Sequence, residues 1–290
     1  MIAFEYGLIS PRDVYFFDLN GYIIIRNALS SQEVNDLNYC IDMIPQQDPG
    51  TSYGNVHFHD YDDDGQSGLN LQQIYESGEP FENLINHPSW IDHMRLFVGA
   101  RGTFDQAHGL LFIDENFVNL RGTGQAIGMH SGGYPPILRN QYRFHGNRFM
   151  CGQVNVLIAL TAIGPGDGGT TLVPGSHKSN FEHPDLKQVA MRSEGFGELI
   201  EGALEVQLAA GDVLIFVDGI CHGSAKRTNQ GLRRIAVYRY GPSWGNFRHQ
   251  YRPSKELLCR LSPEQRQIVA PYTMWDPVFN HTEPYLDELL

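Results

Sequence analysis

The 290-residue chain predicts a mainly β domain, a sandwich or jelly roll, with helices packed on it near its start. Two observations carry that expectation. From residue 105 onward, short β-rich runs alternate with glycine turns: "GLLFIDENFV", "GQVNVLIALTAI", "GTTLVPGS", "ALEVQLAAGDVLIFVDG" and "RRIAVYRYG". Before residue 105, two longer segments carry helical rather than alternating periodicity. With 41% hydrophobic and 19% charged residues, the chain has enough apolar side chain for one large core.

Taken in order, "YIIIRNA" reads as a short strand and "LSSQEVNDLNYCIDMI" as a helix. Ser30 and Glu33 have the spacing of a capping box, and Val34, Leu37, Ile41 and Ile44 fall on one face. A second helix is expected over "HPSWIDHMRLFVG", with Pro88 in its first turn and Gly99 as its stop. Trp90, Ile91, Met94, Phe97 and Val98 form its apolar stripe. The strands follow, and the aromatic, polar tail from Ser243 is expected to fold back over them. There is no internal repeat or low-complexity linker. Residues 1–290 therefore read as one domain: a helical N-terminal part (1–104), a jelly-roll core (105–242) and a C-terminal extension (243–290).

A net charge of −12 argues against a nucleic-acid polymer or an anionic membrane as partner, and leaves room for a small anion in a local basic pocket. Cys40, Cys151, Cys221 and Cys259 lack zinc-site spacing, and the start "MIAFEYGLISPRD" lacks the features of a signal peptide. No apolar run approaches membrane-spanning length. Reduced thiols in a cytoplasmic protein are the expectation.

"HFHDYDDDG" looks like metal bait, since Asp60, Asp62, Asp64 and Gly65 match the start of a calcium loop. The bidentate glutamate that such a loop needs falls on Leu71, so a solvated acidic loop is the reading. His130, in "GMHSGGYPP", and His222, in "DGICHGS", each stand at the end of an expected strand and could converge on one metal. Solvent-facing turn histidines would look the same. Arg233 lies eleven residues after His222, and alternation puts it on one face with Ile235 and Val237. If that face looks into the barrel, the guanidinium needs an anion, most naturally a carboxylate held through both nitrogens. If not, it is a surface charge.

The chain resembles the phytanoyl-CoA dioxygenase family of iron(II)- and 2-oxoglutarate-dependent oxygenases over nearly its whole length. The resemblance is carried by "FFDLNGYIIIRNALSSQEV", "GPGDGGTTLVPGSHKSN", and "LAAGDVLIFVDGICHGS" with the arginine eleven residues on. It implies a double-stranded β-helix, a cupin-like jelly roll. It implies His130 and His222 as iron ligands, Arg233 as the anchor of the 2-oxoglutarate tail carboxylate, and O2 as co-substrate. The family's His-x-Asp is His130-Ser131-Gly132 here. Related iron halogenases likewise carry Gly or Ala at that place and bind chloride there. The resemblance therefore implies a halogenase of an aliphatic C–H bond, with Gly132 as the vacant ligand position. Two alternatives stand beside it. One is a hydroxylase in which water, Asp218 or Asp167 fills the gap; the other is a jelly roll that binds without redox chemistry. Turn geometry alone accounts for Asp167 and Asp212.

The segment "YPPILRNQYRFHGNRFMCG" interleaves Arg139, Arg143, His145 and Arg148 with Tyr134, Tyr142, Phe144 and Phe149. Arginine forks suit phosphate or carboxylate and aromatic faces suit a flat ring. Arg139, Arg143, Tyr142 and Arg148 are thus candidates for binding a small free anionic substrate, a nucleotide first, rather than one tethered to a carrier protein; a lid pairing with the protein's own acids is the alternative. "NFRHQYR" could add a second basic edge. Gln153 and Asn155 share a face of their strand, and with Thr170 or Thr171 could bond the co-substrate. His177, in "PGSHK", is expected to be structural.

Overall fold

The computed structural model describes residues 9–60, 68–99, 108–132, 137–186, 200–245, 247–248 and 251–271. Asp62, Asp64 and Gly65 of the acidic loop, and Tyr134 of the basic segment, lie outside them.

Two antiparallel sheets face each other without closing into a barrel. The large sheet contains β1 (Tyr22–Ile25), β2 (Ser52–Tyr53), β3 (Val56–Asp60), β4 (Leu69–Gln72), β5 (Leu111–Arg121), β9 (Val154–Ala159), β12 (Val213–Val217) and β14 (Arg233–Pro242). Its order is β1-β12-β9-β14-β5-β4-β3-β2. The small sheet contains β6 (Ile127–His130), β10 (Thr170–Leu172), β11 (Leu204–Glu205) and β13 (His222–Ser224), in the order β11-β10-β13-β6. A hairpin of β7 (Phe144–His145) and β8 (Arg148–Phe149) stands apart. From β5 to β14 the chain keeps crossing between the two sheets, which makes the double-stranded β-helix.

Strand alternation sorts the side chains. Cross-strand pairing of β14 with β5 and β9 aligns Ile235 with Asn119 and Ala159, Val237 with Phe117 and Leu157, and Arg239 with Glu115 and Asn155. These residues face the small sheet. The opposite face of β14 meets the helices. Tyr238 donates to Phe81 O at 2.7 Å, and Tyr240 donates to Ile85 O at 2.9 Å while accepting from Trp90 Nε1 at 3.2 Å. Phe81 belongs to the short α3 (Glu79–Glu82), and Trp90 directly precedes α4 (Ile91–Val98), whose Met94 and Phe97 are buried. A second, smaller core of Met129, Leu186, Ile200 and Cys221 covers the outside of the small sheet.

The helix α2 (Ser31–Asp42), which follows α1 (Pro11–Asn20), opens with the expected capping box at Ser30 and Glu33. Two expectations need correcting. The helix expected over residues 87–99 begins only at Ile91, because the N–H groups of Trp90 and Ile91 both bond His87 O and Pro88 lies in that turn. The N-terminal part is also more than helical decoration. Its β1 closes one edge of the large sheet, and β2 to β4 extend the other. After β14, α5 (Lys255–Arg260) and α6 (Pro263–Val269) follow, and α6 packs on β5. All four cysteines are free. Among the described residues no helix is long and apolar enough to cross a membrane.

Candidate active site

His130 ends β6 and His222 begins β13, and the two are direct cross-strand partners. Their ring centroids are 4.2 Å apart, and Phe216 of the large sheet packs edge-on against His222 at 4.9 Å. Each histidine binds a carbonyl two residues back: His130 Nδ1 bonds Gly128 O at 2.9 Å, and His222 Nδ1 bonds Ile220 O at 2.8 Å. A carbonyl only accepts, so Nδ1 carries the hydrogen in both rings and each Nε2 keeps a lone pair. That is the tautomer a metal needs. Burial, then the proximity of His130, pushes the His222 pKa down to about 3, and burial also lowers that of His130. Both rings are therefore neutral at physiological pH. Two neutral imidazoles held side by side fit an iron(II) ion.

The turn after His130 explains the glycine. Ser131 (φ 64°) and Gly132 (φ 94°) are both left-handed, and Gly132 N–H donates to Gly219 O at 3.1 Å. This bond ties the turn to the loop that precedes His222. A Cβ at residue 132 would lie 3.0 Å from Cys221 Cβ. Cys221 belongs to the small core outside the sheet, so a side chain at 132 would head away from the inner face. Among the described residues no Asp, Glu, His or Cys joins the two histidines as a third ligand.

Asp218 and Asp167 are committed elsewhere. Asp218 is buried and accepts from Arg139 Nε at 2.9 Å, Asn155 Nδ2 at 3.1 Å and an Arg248 terminal nitrogen at 3.3 Å. Burial works to raise its pKa, but the guanidiniums of Arg248 and Arg239 outweigh it and hold the carboxyl below its ordinary range. Asp167 pairs with Arg227 at 2.9 Å and accepts from Gly164 N–H at 3.0 Å, as a turn residue does. Asp212 caps its own turn through Ala209 N–H at 2.8 Å.

Arg233 lies buried at the far end of the inner face, directly opposite Arg121. It donates to Gly168 O and, at 2.9 Å, to Asn119 Oδ1, while its Nε is buried with no partner. Among the described residues no carboxylate touches it. Burial, reinforced by the neighbouring guanidiniums of Arg121 and Arg227, pulls its pKa well below the ordinary arginine value. An arginine in that setting fits an anion from solution, as the distal carboxylate of 2-oxoglutarate would supply.

The other candidates separate clearly. Gln153 and Asn155 are buried on the inner face, bonded to Asp114 at 2.9 Å and to Asp218, and Asn155 Oδ1 has no partner. Thr171 is buried, yet β10 pairs Thr170 with Ser224 and Leu172 with His222, so Thr170 takes the inner face and Thr171 the outer. Arg139 reaches the site through Asp218. Arg143 and Arg148 are exposed around the β7–β8 hairpin. Tyr142 packs against Phe149 and His177 and donates to Asp18. None of those three approaches the histidine pair. His177 is buried and bonds Asp18 O at 3.1 Å.

Several residues of the site escape the sequence reading. A bulge in β5 skips Asp114 in the pairing with β14, so Asp114 and Glu115 both serve the inner face. Glu115 holds Arg239 at 2.7 Å and Gln72 at 2.9 Å. Asp114 accepts the backbone N–H groups of Phe247 (2.9 Å) and Arg248 (3.0 Å), which folds the C-terminal segment over the mouth and sets Arg248 on Asp218. A solvent-open pocket lined also by Gln72, Gln73, Tyr75, Asn116 and Tyr251 shares Asp114, Glu115 and Arg248 with this network. Arg239 continues the alternation of Arg233, Ile235 and Val237 and was findable from it. Arg121 carried no signal beyond its charge, whereas Arg248 belongs to "NFRHQYR", the second basic edge read from the sequence. On the opposite edge of this face, His57 stacks on Tyr251 at 3.7 Å.

The sequence profile described as phytanoyl-CoA dioxygenase (PhyH) matches residues 17–235. The dioxygenase cdmD of Talaromyces verruculosus is 26% identical over 122 residues, covering 42% of this chain and 36% of that protein, so the match spans about a third of the relative's length. Among solved structures, HygX from Streptomyces hygroscopicus, with nickel and 2-oxoglutarate bound, superposes with a TM-score of 0.66 at 21% identity, covering 86% of this chain and 94% of its own. EctD from S. alaskensis, with 2-oxoglutarate and 5-hydroxyectoine, gives 0.58 at 17% identity, covering 83% and 80%. At these identities the two structures speak for the fold.

Proposed function

Since the chain belongs to the phytanoyl-CoA dioxygenase family, we propose that it is an iron(II)- and 2-oxoglutarate-dependent oxidoreductase acting on an aliphatic C–H bond, and that it works as a halogenase. His130 and His222 hold the metal through Nε2, and Arg233 holds the distal carboxylate of 2-oxoglutarate. Iron with 2-oxoglutarate and O2 supplies the oxidising power to break an unactivated C–H bond. Phe216, Val237 and Leu157 give the inner face between metal and anchor an apolar lining that keeps water out. Arg139 and Arg248, anchored on Asp218 at the mouth, favour a small substrate carrying an anionic group, with a free nucleotide as the first candidate.

The observation that carries the halogenase reading is the backbone at Gly132. It is left-handed, and a side chain there would run into Cys221 rather than toward the histidines. The metal therefore receives two imidazoles and no carboxylate from this turn. A chloride ion suits the vacant position in size and restores the missing negative charge. A second reading, hydroxylation, is favoured by one observation of its own. Asp218 stands four residues before His222 in the same polar cluster, and it or a water could complete the ligand set.

The experiment has two stages. Anaerobic protein is titrated with iron(II) and 2-oxoglutarate, and the visible charge-transfer band is followed as chloride is added. Metabolites are then tested in air with mass spectrometry of the products. A band that shifts with chloride, followed by chlorinated product, is the expected result. Hydroxylated product alone at saturating chloride would establish the second reading. A protein that never binds iron and 2-oxoglutarate together would be a binding jelly roll, as the third alternative holds.

A further inference from the structure

Arg233 is not alone at its end of the inner face. Its cross-strand partner Arg121 is fully buried and reaches from the large sheet to the small one, where it donates to Ser224 Oγ. Ser224 also accepts Ile127 N–H at 2.8 Å, so the hydroxyl holds Arg121 and the end of β6 together. Thr170 is the cross-strand partner of Ser224 and shares its face. Arg121, Ser224 and Thr170 thus share the end of the inner face at which Arg233 Nε is buried without a partner. Two cations buried next to each other repel, and desolvation adds to the cost. A bound carboxylate relieves both.

The strand also measures the distance to the metal. Ser224 lies two residues beyond His222, and a strand advances about 3.3 Å per residue. The step from the histidine to the arginine pair is thus roughly 7 Å along the chain. A five-carbon diacid that chelates a metal at one end spans such a step with its other carboxylate.

We propose that Arg121 is a second anchor for the co-substrate, so that the distal carboxylate of 2-oxoglutarate sits between Arg121 and Arg233 with the Thr170 hydroxyl beside it. This rests on the co-substrate reading above. It assigns contacts to Arg121 and Thr170, and makes the pair a selector for 2-oxo acids that carry a distal carboxylate.

The test compares 2-oxoglutarate with 2-oxobutyrate, which keeps the chelating end and lacks the distal carboxylate. Binding to anaerobic iron(II) protein is read from the charge-transfer band for wild type, R121Q and R121K. Charge-assisted hydrogen bonds of this kind predict a loss of about 10- to 100-fold in 2-oxoglutarate affinity for R121Q. Affinity for 2-oxobutyrate should stay within about twofold, and R121K should recover part of the loss because it keeps the charge without the fork. If R121Q fails to fold, R121K alone decides, with a selective loss for 2-oxoglutarate as the expected outcome. Equal losses for both acids, or none for either, would overturn the second anchor and leave the co-substrate reading standing. Wild-type protein that binds neither acid would overturn both.

Discussion

The two ends of the inner face bury arginines in opposite ways. At the mouth, Arg139 and Arg248 pair with Asp218 and Arg239 pairs with Glu115, at 2.7 to 3.3 Å. At the far end, among the described residues, Arg233 bonds the neutral oxygens of Gly168 and Asn119 and no carboxylate. The mouth carries its own counter-ions, two carboxylates for three guanidiniums, whereas among the described residues no carboxylate pairs with Arg233. A buried charge is expensive wherever it sits, so an end whose arginine lacks such a pair gains more from a bound anion.

The largest expected effect lies at the balanced end. Asp218→Asn keeps the shape but strips the carboxylate from two guanidiniums. Breaking a buried pair costs ~3–5 kcal/mol, and the partial exposure of both arginines puts this variant near the lower figure. Urea denaturation of the metal-free protein measures it. The opposite end should answer differently. Arg233→Met removes a charge that has no counter-ion, so the metal-free protein should keep its stability or gain about 1 kcal/mol. The same change should weaken 2-oxoglutarate binding about 100-fold. An Asp218→Asn variant as stable as wild type, or an Arg233→Met variant that unfolds, would erase the contrast between the two ends.

This contrast also marks how far the sequence could be read. Arg233 was legible because an arginine alternating with Ile235 and Val237 is conspicuous on an apolar face. His130 and His222 were legible because each stands at the end of a β-rich run. The spacing of those runs pointed to a sandwich or jelly roll, and the crossing of the chain between sheets was what the family resemblance implied. What pairs with what at the mouth was not legible. Asp218 meets Arg139 and Arg248 across 79 and 30 residues of sequence, and such contacts leave no local pattern. The bulge that turns Asp114 inward is likewise a property of pairing with β14. Arg143 and Arg148 looked as good as Arg139 because a basic, aromatic segment does not reveal which of its arginines turns inward. Thr170 and Thr171 were equal candidates in the sequence, and only the register with β13 separates their faces. Of the strands in the first 104 residues β1 was read from "YIIIRNA", while β2 to β4 were missed because each is short, and two of them border the acidic loop.

Gly132 sits beside the balanced end and tests whether its vacancy is built in. Gly132→Ala places a Cβ 3.0 Å from Cys221 on a left-handed backbone. The expected cost is about 1–2 kcal/mol in thermal or urea unfolding. Gly132→Asp should cost at least as much and leave iron(II) affinity unchanged, because its side chain starts toward Cys221. Tighter iron binding by that variant would show that the turn can deliver a carboxylate after all.

The smallest effect concerns a third way to bury a base, which is to give up its charge. His177 lies among Tyr142, Lys178 and Asp18, and burial pushes its pKa down to about 4 from an ordinary 6.5. In the unfolded chain it takes up a proton first as the pH falls. Folding stability is therefore complete above pH 6.5 and is lost as the pH drops from there through about 4. His177→Gln cannot gain that proton. Between these two pH values the wild type should lose more stability than the variant, read from urea midpoints at matched ionic strength. Parallel pH profiles would mean that the ring titrates in the folded protein as it does in the unfolded one, with the Asp18 carboxylate offsetting the cost of burial.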